Sequence, residues 1–368
     1  MKTFKGHILL QRIFDVGGEI DLARAAEILA GTGLAEQFKL RRSSRNIIID
    51  QAPLSVSLGE WEHEHSGKVF SIQTLGKLWS FGAFSLTFKI AITEETPLSD
   101  IKKFAHYLEN EDEITALAME QAKRVSEDLA AAIKQPGIWN QFEDYIIFMR
   151  EPENAPTPEE LLSSESFFQL LLTETDVQLS NQMKESIRSN FFQYSKDDYV
   201  VIDWNAAFIC ASPADAQDMA DVAEFALCQV LEMRYYDEML DRKLGTLYKS
   251  IQVSKPSIFS NKYSQHAHDA ALIYIEISEV IEKIENTLKV IGDFYYAKIF
   301  RAASDRFRVK DWQASVDQKL KNLADVSSLF QAETNEKRNQ LMEFIIIILI
   351  AIEVVPLLWN KFGELFLK

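Results

Sequence analysis

The sequence predicts an α+β protein: an N-terminal antiparallel sheet with helices over residues 1–212, a helical region with a coiled-coil-like antiparallel hairpin over 213–340, and one transmembrane helix over 341–359. Three observations predict it. Residues 84–92 place Phe84, Leu86, Phe88, Ile90 and Ile92 in alternation with Ser85, Thr87, Lys89 and Ala91, the period of a strand with one buried face. After Pro213 only Pro256 and Pro356 interrupt the chain, and its apolar residues recur at helical seam spacing. Residues 341–359, LMEFIIIILIAIEVVPLLW, are apolar at sixteen of nineteen positions, and nothing else in the chain looks like them.

In chain order, residues 6–14 read as a strand, and 19–29 as a short amphipathic helix with Ile20, Leu22, Ala25, Ala26 and Leu29 on its apolar face. Short strands are expected at 46–49 and 54–58. Residues 69–75 then form the hairpin partner of 84–92, with Gly82 in the turn, for a sheet of about four strands. Helices follow at 98–109, opened by Pro97 and Ser99, and at 113–133, ended by Pro136 and Gly137. Strand character returns at 144–149. Beyond the Pro-rich turn at 151–158 come helices at 159–172 and 177–191. A strand pair, 199–202 and 206–210, is joined by Asp203, Trp204 and Asn205 and extends the first sheet.

Ser212 and Pro213 start the helical region. A first seam runs through Ala226, Val230, Met233, Leu240, Leu244, Leu247 and Ile251, and Asp237 interrupts it. The second follows Ile273, Ile277, Val280, Ile284, Ile291 and Phe294. After Asp311 a third takes in Trp312, Val316, Leu320, Leu323, Val326 and Phe330. With a break over 302–310, the second and third segments are expected to pair antiparallel, the third running on into the membrane helix.

Nineteen helical residues span about 28 Å, close to the hydrocarbon thickness of a bilayer. Phe344, Ile345, Ile346, Ile347, Ile348, Leu349, Ile350 and Ile352 are the lipid-facing residues of this reading, with Trp359 at the far end. Glu343 sits at the edge, Glu353 would cost about 2.5–3.5 kcal/mol if it were central, and Pro356 is tolerable near an end. A helix buried in an oligomeric core is the alternative, but apolarity on every face favours lipid. Residues 360–368 alone follow, so a tail anchor is expected, and Lys337 and Arg338 before it place the body in the cytoplasm.

The whole chain has the composition of a globular protein, 47% hydrophobic and 26% charged, with a formal charge of −16, so the anchor is expected to be an appendage to a folded soluble body. That charge balance disfavours a chain built mainly to grip nucleic acid. The expected partners are the lipid bilayer and further copies of the chain. Lys39, Arg41, Arg42 and Arg45 read as a solvated loop. Cys210 and Cys228 form no C-x-x-C or zinc pattern, which fits a reducing compartment. The N-terminus shows no cleavage site or transit-peptide character, so the body is expected to stay where it is made.

The densest polar grouping joins Asp203 and Asn205 on the hairpin turn with Glu232, Arg234, Tyr235, Asp237, Glu238 and Asp241 on a helix. Asp237 and Asp241 share a face at i,i+4. Asp203, Glu232, Asp237 and Asp241 would serve a metal-dependent hydrolase; a charged helix pairing its own Arg234 and Arg242 is the simpler reading. Asp237 in an apolar seam demands a partner, expected to be an arginine or a tyrosine hydroxyl from another segment, with Asp203 or Asn205 nearby. His63 and His65 read as loop histidines, and His266 and His268 as lying in a loop or helix start; each i,i+2 pair could in principle coordinate a metal, with solvated histidines as the simpler reading. Neither a nucleophile elbow nor a phosphate-binding or dinucleotide loop is present, and Gly17-Gly18 reads as a turn. No catalytic residue, metal or cofactor is assigned.

FDVGGEIDL at 14–22, LEMRYYDEMLDRKLGTLY at 231–248, IEISEVIEKIENTLKVIGDFY at 275–295 and above all RNQLMEFIIIILIAIEVV at 338–355 resemble the uncharacterised family typified by the "required for meiotic nuclear division" proteins. Coverage is good over about 213–360. The family's Tyr-Gly-Val-rich strand is not evident, with LWSFGAFSLTF at 78–88 as a divergent version. The resemblance implies a membrane-anchored oligomer with no assigned reaction, here a prokaryotic relative. The mitochondrial branch's association with organelle translation is not carried over. A non-enzymatic scaffold that self-associates through its helical seams is therefore the expected function, with the hydrolase as alternative.

Overall fold

The computed structural model describes residues 2–31, 52–153, 155–253, 262–287 and 294–366. Among them, eight strands form a single sheet in the order β2-β3-β4-β1-β5-β8-β7-β6. The strands are β1 (Thr3–Asp15), β2 (Leu54–His65), β3 (Lys68–Leu78), β4 (Ala83–Pro97), β5 (Phe142–Arg150), β6 (Phe191–Phe192), β7 (Tyr199–Ile202) and β8 (Ala206–Cys210). The helices are α1 (Leu22–Gly31), α2 (Leu98–Asn110), α3 (Asp112–Asp128), α4 (Pro158–Leu162), α5 (Glu165–Leu171), α6 (Asn181–Arg188), α7 (Pro213–Val253), α8 (Lys262–Thr287), α9 (Phe294–Arg306) and α10 (Val309–Phe366). The α+β class and the joining of the later strands to the first sheet are as the sequence predicts. The expected strand at 46–49 and the cationic cluster Lys39, Arg41, Arg42 and Arg45 lie outside the described residues.

Strand β1 is the sheet's axis. It pairs antiparallel with β4, from Thr3 opposite Pro97 to Asp15 opposite Ala83, and with β5, from His7 opposite Met149 to Phe14 opposite Phe142. Strands β5 and β8 run parallel, because the chain between them crosses the sheet through α4, α5 and α6 before turning back. Side chains alternate along each strand, so even-numbered residues of β1, β4 and β5 share one face and odd-numbered residues the other.

The even face carries Ile8, Leu10, Phe14, Leu86, Phe88, Ile90, Ile146 and Phe148, packed with Ile101, Phe104 and Leu108 of α2, Ile114 and Ala118 of α3, and Phe167 and Phe168 of α5. Arg12 lies on it too, donating to the carbonyl oxygens of Leu108 and Glu109 at the end of α2, where a cation meets the negative end of the helix dipole. The alternation in β4 predicted one buried face; the structure buries both. Ser85 and Thr87 are buried because α7 covers them: Trp79 and Phe81 pack on Phe225, and Phe225 on Phe300 of α9. The sheet is thus the middle of three layers.

Several boundaries differ for local reasons. Helix α3 stops at Asp128 rather than continuing to 133, since the chain turns there to pair Ile133 with Ile20, with Asp21 N donating to Ala132 O. The stretch 159–172 breaks into α4, opened by a capping box of Thr157 and Glu160, and α5, opened at Ser164. His63 and His65 are in strand β2, not a loop, and both rings pack on Tyr107 of α2.

The chain divides into two compact units, Met1–Tyr236 with Val280–Ala314, and Asp237–Glu279 with Ser315–Lys368. The second unit is all helical. Leu240, Leu244 and Leu247 of α7, Ala267, Ala270 and Ile277 of α8, and Val316, Leu320, Leu323, Val326 and Phe330 of α10 are buried in it. Ser327 donates to the Ala267 carbonyl at 3.0 Å. In the second seam Phe294 is exposed, and its neighbours Tyr295, Tyr296 and Ile299 are buried instead; the side chains of Ile251 and Ile291 lie outside the described residues. The apolar stretch belongs to α10, where an eighteen-residue window has mean hydropathy 1.9 and none of it is buried. Phe344, Ile345, Ile346, Ile347, Ile348, Leu349, Ile350 and Ile352 are all exposed. Pro356 is inside the helix, and the side chain of Trp359 lies outside the described residues.

Candidate functional site

The odd face of the sheet, under α7, is where buried charge accumulates. Its best-defined corner is the end of β1. Gly17 and Gly82 both have positive φ (136° and 116°), and a Cβ on Gly82 would sit 2.2 Å from the Gly17 carbonyl oxygen, so two segments of the chain cross here closer than any other residue allows. Val16 N donates to Gly82 O at 3.1 Å, Gly18 N to Lys134 O at 2.7 Å, and Gly137 N to Val16 O at 3.1 Å. This knot holds Asp15 in the interior, 2% exposed, with Oδ1 accepting from Gly17 N at 3.2 Å.

Glu232 of α7 is wholly buried and near enough to feel the charge of Asp15. Asp15 Oδ2 and both Glu232 carboxyl oxygens accept no hydrogen bond. Burial pushes Asp15 up to about 8, with the Gly17 N–H pulling back. Burial, and then the charge of Asp15, raises Glu232 well above the usual carboxylate range.

Two turns earlier on α7 the opposite solution is found. Glu224 is buried but bonded: Lys77 donates to it at 2.5 Å and to Asp221 at 2.8 Å, and Ser85 donates to its other oxygen. Trp79 Nε1 donates to Ser85 Oγ at 3.3 Å. Burial raises the Glu224 pKa and the Lys77 ammonium opposes it.

Beyond the start of α7 the odd face opens into a groove of about 1040 Å³, with Lys5, His7 and Lys89 on its floor and Gln217 and Asp221 on its wall. Arg150, which also lines it, donates to Glu95 at 2.9 Å. Burial, then Lys89, lowers the His7 pKa, with Glu151 opposing. Cations and carboxylates are interleaved, so the groove would receive a polar molecule bearing both charges.

The residues singled out in the sequence are distributed. Asp203 is buried on the β7–β8 turn and meets Arg306 of α9 at 3.3 Å, and its carbonyl accepts from Tyr145 at 2.8 Å. Asn205 donates to Leu172 O and Thr173 Oγ1. Arg234 pairs with Glu143 and donates to Gln141, lying over Trp139 and Trp312; Tyr235 packs on Trp139. Asp237 and Asp241 are brought together by Lys319, at 2.8 and 2.6 Å, and Ser315 donates to Asp237 at 2.6 Å. The expected partner of Asp237 thus exists, but it is a lysine with a serine from α10, where an arginine or tyrosine was expected. Glu238 keeps the helix-internal pair, with Arg242 at 3.8 Å. Among the described residues, no group of three or more His, Cys, Asp or Glu side chains is placed to hold a metal ion.

Sequence reasoning passed over Asp15, Lys77, Ser85 and Glu224. A signal existed for two of them: an acid two residues before Gly17, at the end of an apolar strand, and a glutamate inside the apolar run ADVAEFALCQV at 220–230.

A three-layer α+β body with a charged face buried under one long helix defines this class of protein. The family model described as "Uncharacterized protein MJ0711, N-terminal domain" matches residues 5–216, and the chain belongs to that family. It is 28% identical over 163 residues to "Uncharacterized protein MJ0711" of Methanocaldococcus jannaschii, covering 44% of this chain and 50% of the relative; the chain therefore spans half the length of the curated relative it matches. No solved structure matches. The family is an uncharacterised one, as the resemblance implied, but it carries the MJ0711 description and lies over the sheet body.

Proposed function

We propose that this is a membrane-anchored, non-enzymatic assembly protein that self-associates through its helical seams and keeps its sheet body in the cytoplasm. The observation that carries this reading is the apolar stretch of α10, exposed on all sides within one continuous helix of 58 residues. Each large apolar side chain left in water forgoes about 1.5–3 kcal/mol, and a bilayer is the surrounding that removes that cost for all of them at once. Lys337 and Arg338 before the stretch favour a cytoplasmic body. Self-association is supported by α8, where Leu272 and Ile275, three residues apart, are both exposed. The C-terminal ending also supports kinship with the "required for meiotic nuclear division" proteins.

The hydrolase reading has less support, since its four carboxylates have other company: Arg306 for Asp203, Lys319 for Asp237 and Asp241, and Asp15 for Glu232. Fractionation tests the anchor. Full-length protein is expected to stay with membranes in alkaline carbonate and to leave with detergent, and a variant lacking residues 341–368 to be soluble. Carbonate release of the full-length chain would overturn the anchor, and failure to cross-link as an oligomer in detergent would overturn self-association.

A further inference from the structure

Fully buried carboxyl groups are normally matched to a cation or to hydrogen-bond donors, because an isolated charge in a protein interior is too costly to keep. Asp15 and Glu232 have no cation partner, and between them they accept a single hydrogen bond, from Gly17 N. They come from opposite layers, β1 and α7, and three of their four oxygens accept nothing, although Glu224 on the same helix is fully matched. The cations on neighbouring elements are engaged elsewhere: Lys77 of β3 by Glu224 and Asp221, Arg234 of α7 by Glu143, and Lys283 of α8 by Glu19 beside the glycine turn. Arg12 is on the other face of β1. Lys134, whose carbonyl holds Gly18, is exposed. The other titratable groups facing the pair along α7, Glu224 and Cys228, are an acid and a thiol that supply no positive charge.

We propose that Asp15 and Glu232 form a proton-binding site that clasps β1 to α7 at neutral pH and loosens as the pH rises. The occupant is a proton because it is the cation that two carboxyls can hold in a dry space. Asp15 already has the Gly17 N–H on one oxygen, so it is the better anion. Glu232 therefore keeps the proton longest and donates its O–H to the free oxygen of Asp15. No bond other than O–H is made or broken. When the pH rises and the last proton leaves to solvent, two negative charges face each other and the clasp is lost.

The sign of the pH effect follows. An acid that stays protonated when folded but ionises when unfolded gives its full stability below its unfolded pKa, near 4, and loses it as the pH rises towards its folded value, about 8 for Asp15. Each such acid weakens the folding constant by about tenfold per pH unit within that window.

The test uses the full-length chain in detergent micelles, comparing wild type with Glu232→Gln and Asp15→Asn in denaturant unfolding from pH 4 to 8. Each variant is expected to flatten the decline by about tenfold per unit between pH 5 and 7, so that it is the more stable protein at pH 8. Infrared difference spectra at pH 7 provide the second readout, independent of either variant's stability. The wild type is expected to show the carbonyl stretch of a protonated carboxylic acid, and any variant that folds to show it weakened. A wild type with no protonated-acid band at pH 7, or pH slopes identical in all three proteins, would overturn the proposal.

Discussion

The two faces of the sheet come from the same strands and are held by different physics. On the even face Phe14, Leu86, Phe88, Ile90 and Phe148 meet α2, α3 and α5 almost wholly through apolar area. On the odd face Ser85, Thr87 and Tyr145 are as deeply buried, under α7 and α9, and apart from the Asp15–Glu232 pair its buried charges are matched: Lys77 and Ser85 to Glu224, Tyr145 to the Asp203 carbonyl, Arg306 to Asp203. Apolar area is forgiving, since any side chain of the right size restores most of it. Matched polar groups are not, because removing one member strands the other in a low dielectric.

The largest effect is expected where both faces depend on one backbone crossing. Gly82→Ala places a methyl group 2.2 Å from Gly17 O at a φ of 116°, and should lose about 4 kcal/mol or more in denaturant unfolding. A smaller loss would show that the turn can move aside, and that Asp15 is less rigidly placed than the crossing implies.

Next come two substitutions that separate the faces. Phe148→Ala is expected to lose about 3–5 kcal/mol with no dependence on pH between 5 and 8, and Phe148→Leu to recover more than half of it. Lys77→Met should cost about 3 kcal/mol at neutral pH by stranding Glu224, and less as the pH falls, because the stranded carboxyl, already raised by burial, can take a proton. If both losses were flat with pH, the distinction between the faces would fail.

The even face was legible in the sequence because its signal is periodicity. Phe84 to Ile92 alternate, 199–202 and 206–210 are short apolar runs around a polar turn, and the helices that cover them show their stripes. The odd face was not, for a reason visible in Ser85, Thr87 and Lys89. Polar residues at alternate positions are the signature of a solvated face, and nothing local says that a helix 130 or more residues later in the chain will cover them. Glu232 was grouped in the sequence with Asp237 and Asp241, which the structure leaves paired to Lys319 near the surface, and Glu224 was marked only by its place in an apolar run. What separates the two sets is tertiary environment. The apolar stretch of α10, long and apolar enough to cross a membrane, was read directly, since length and composition alone define it.

The claim that Lys77 of the sheet is matched by Glu224 of α7 is tested most directly by a double-mutant cycle on Lys77→Met and Glu224→Gln, in the full-length chain in detergent at neutral pH. The account predicts a coupling of about 2–3 kcal/mol, the double variant being far more stable than the sum of the single losses allows. Additivity within about 0.5 kcal/mol would contradict it.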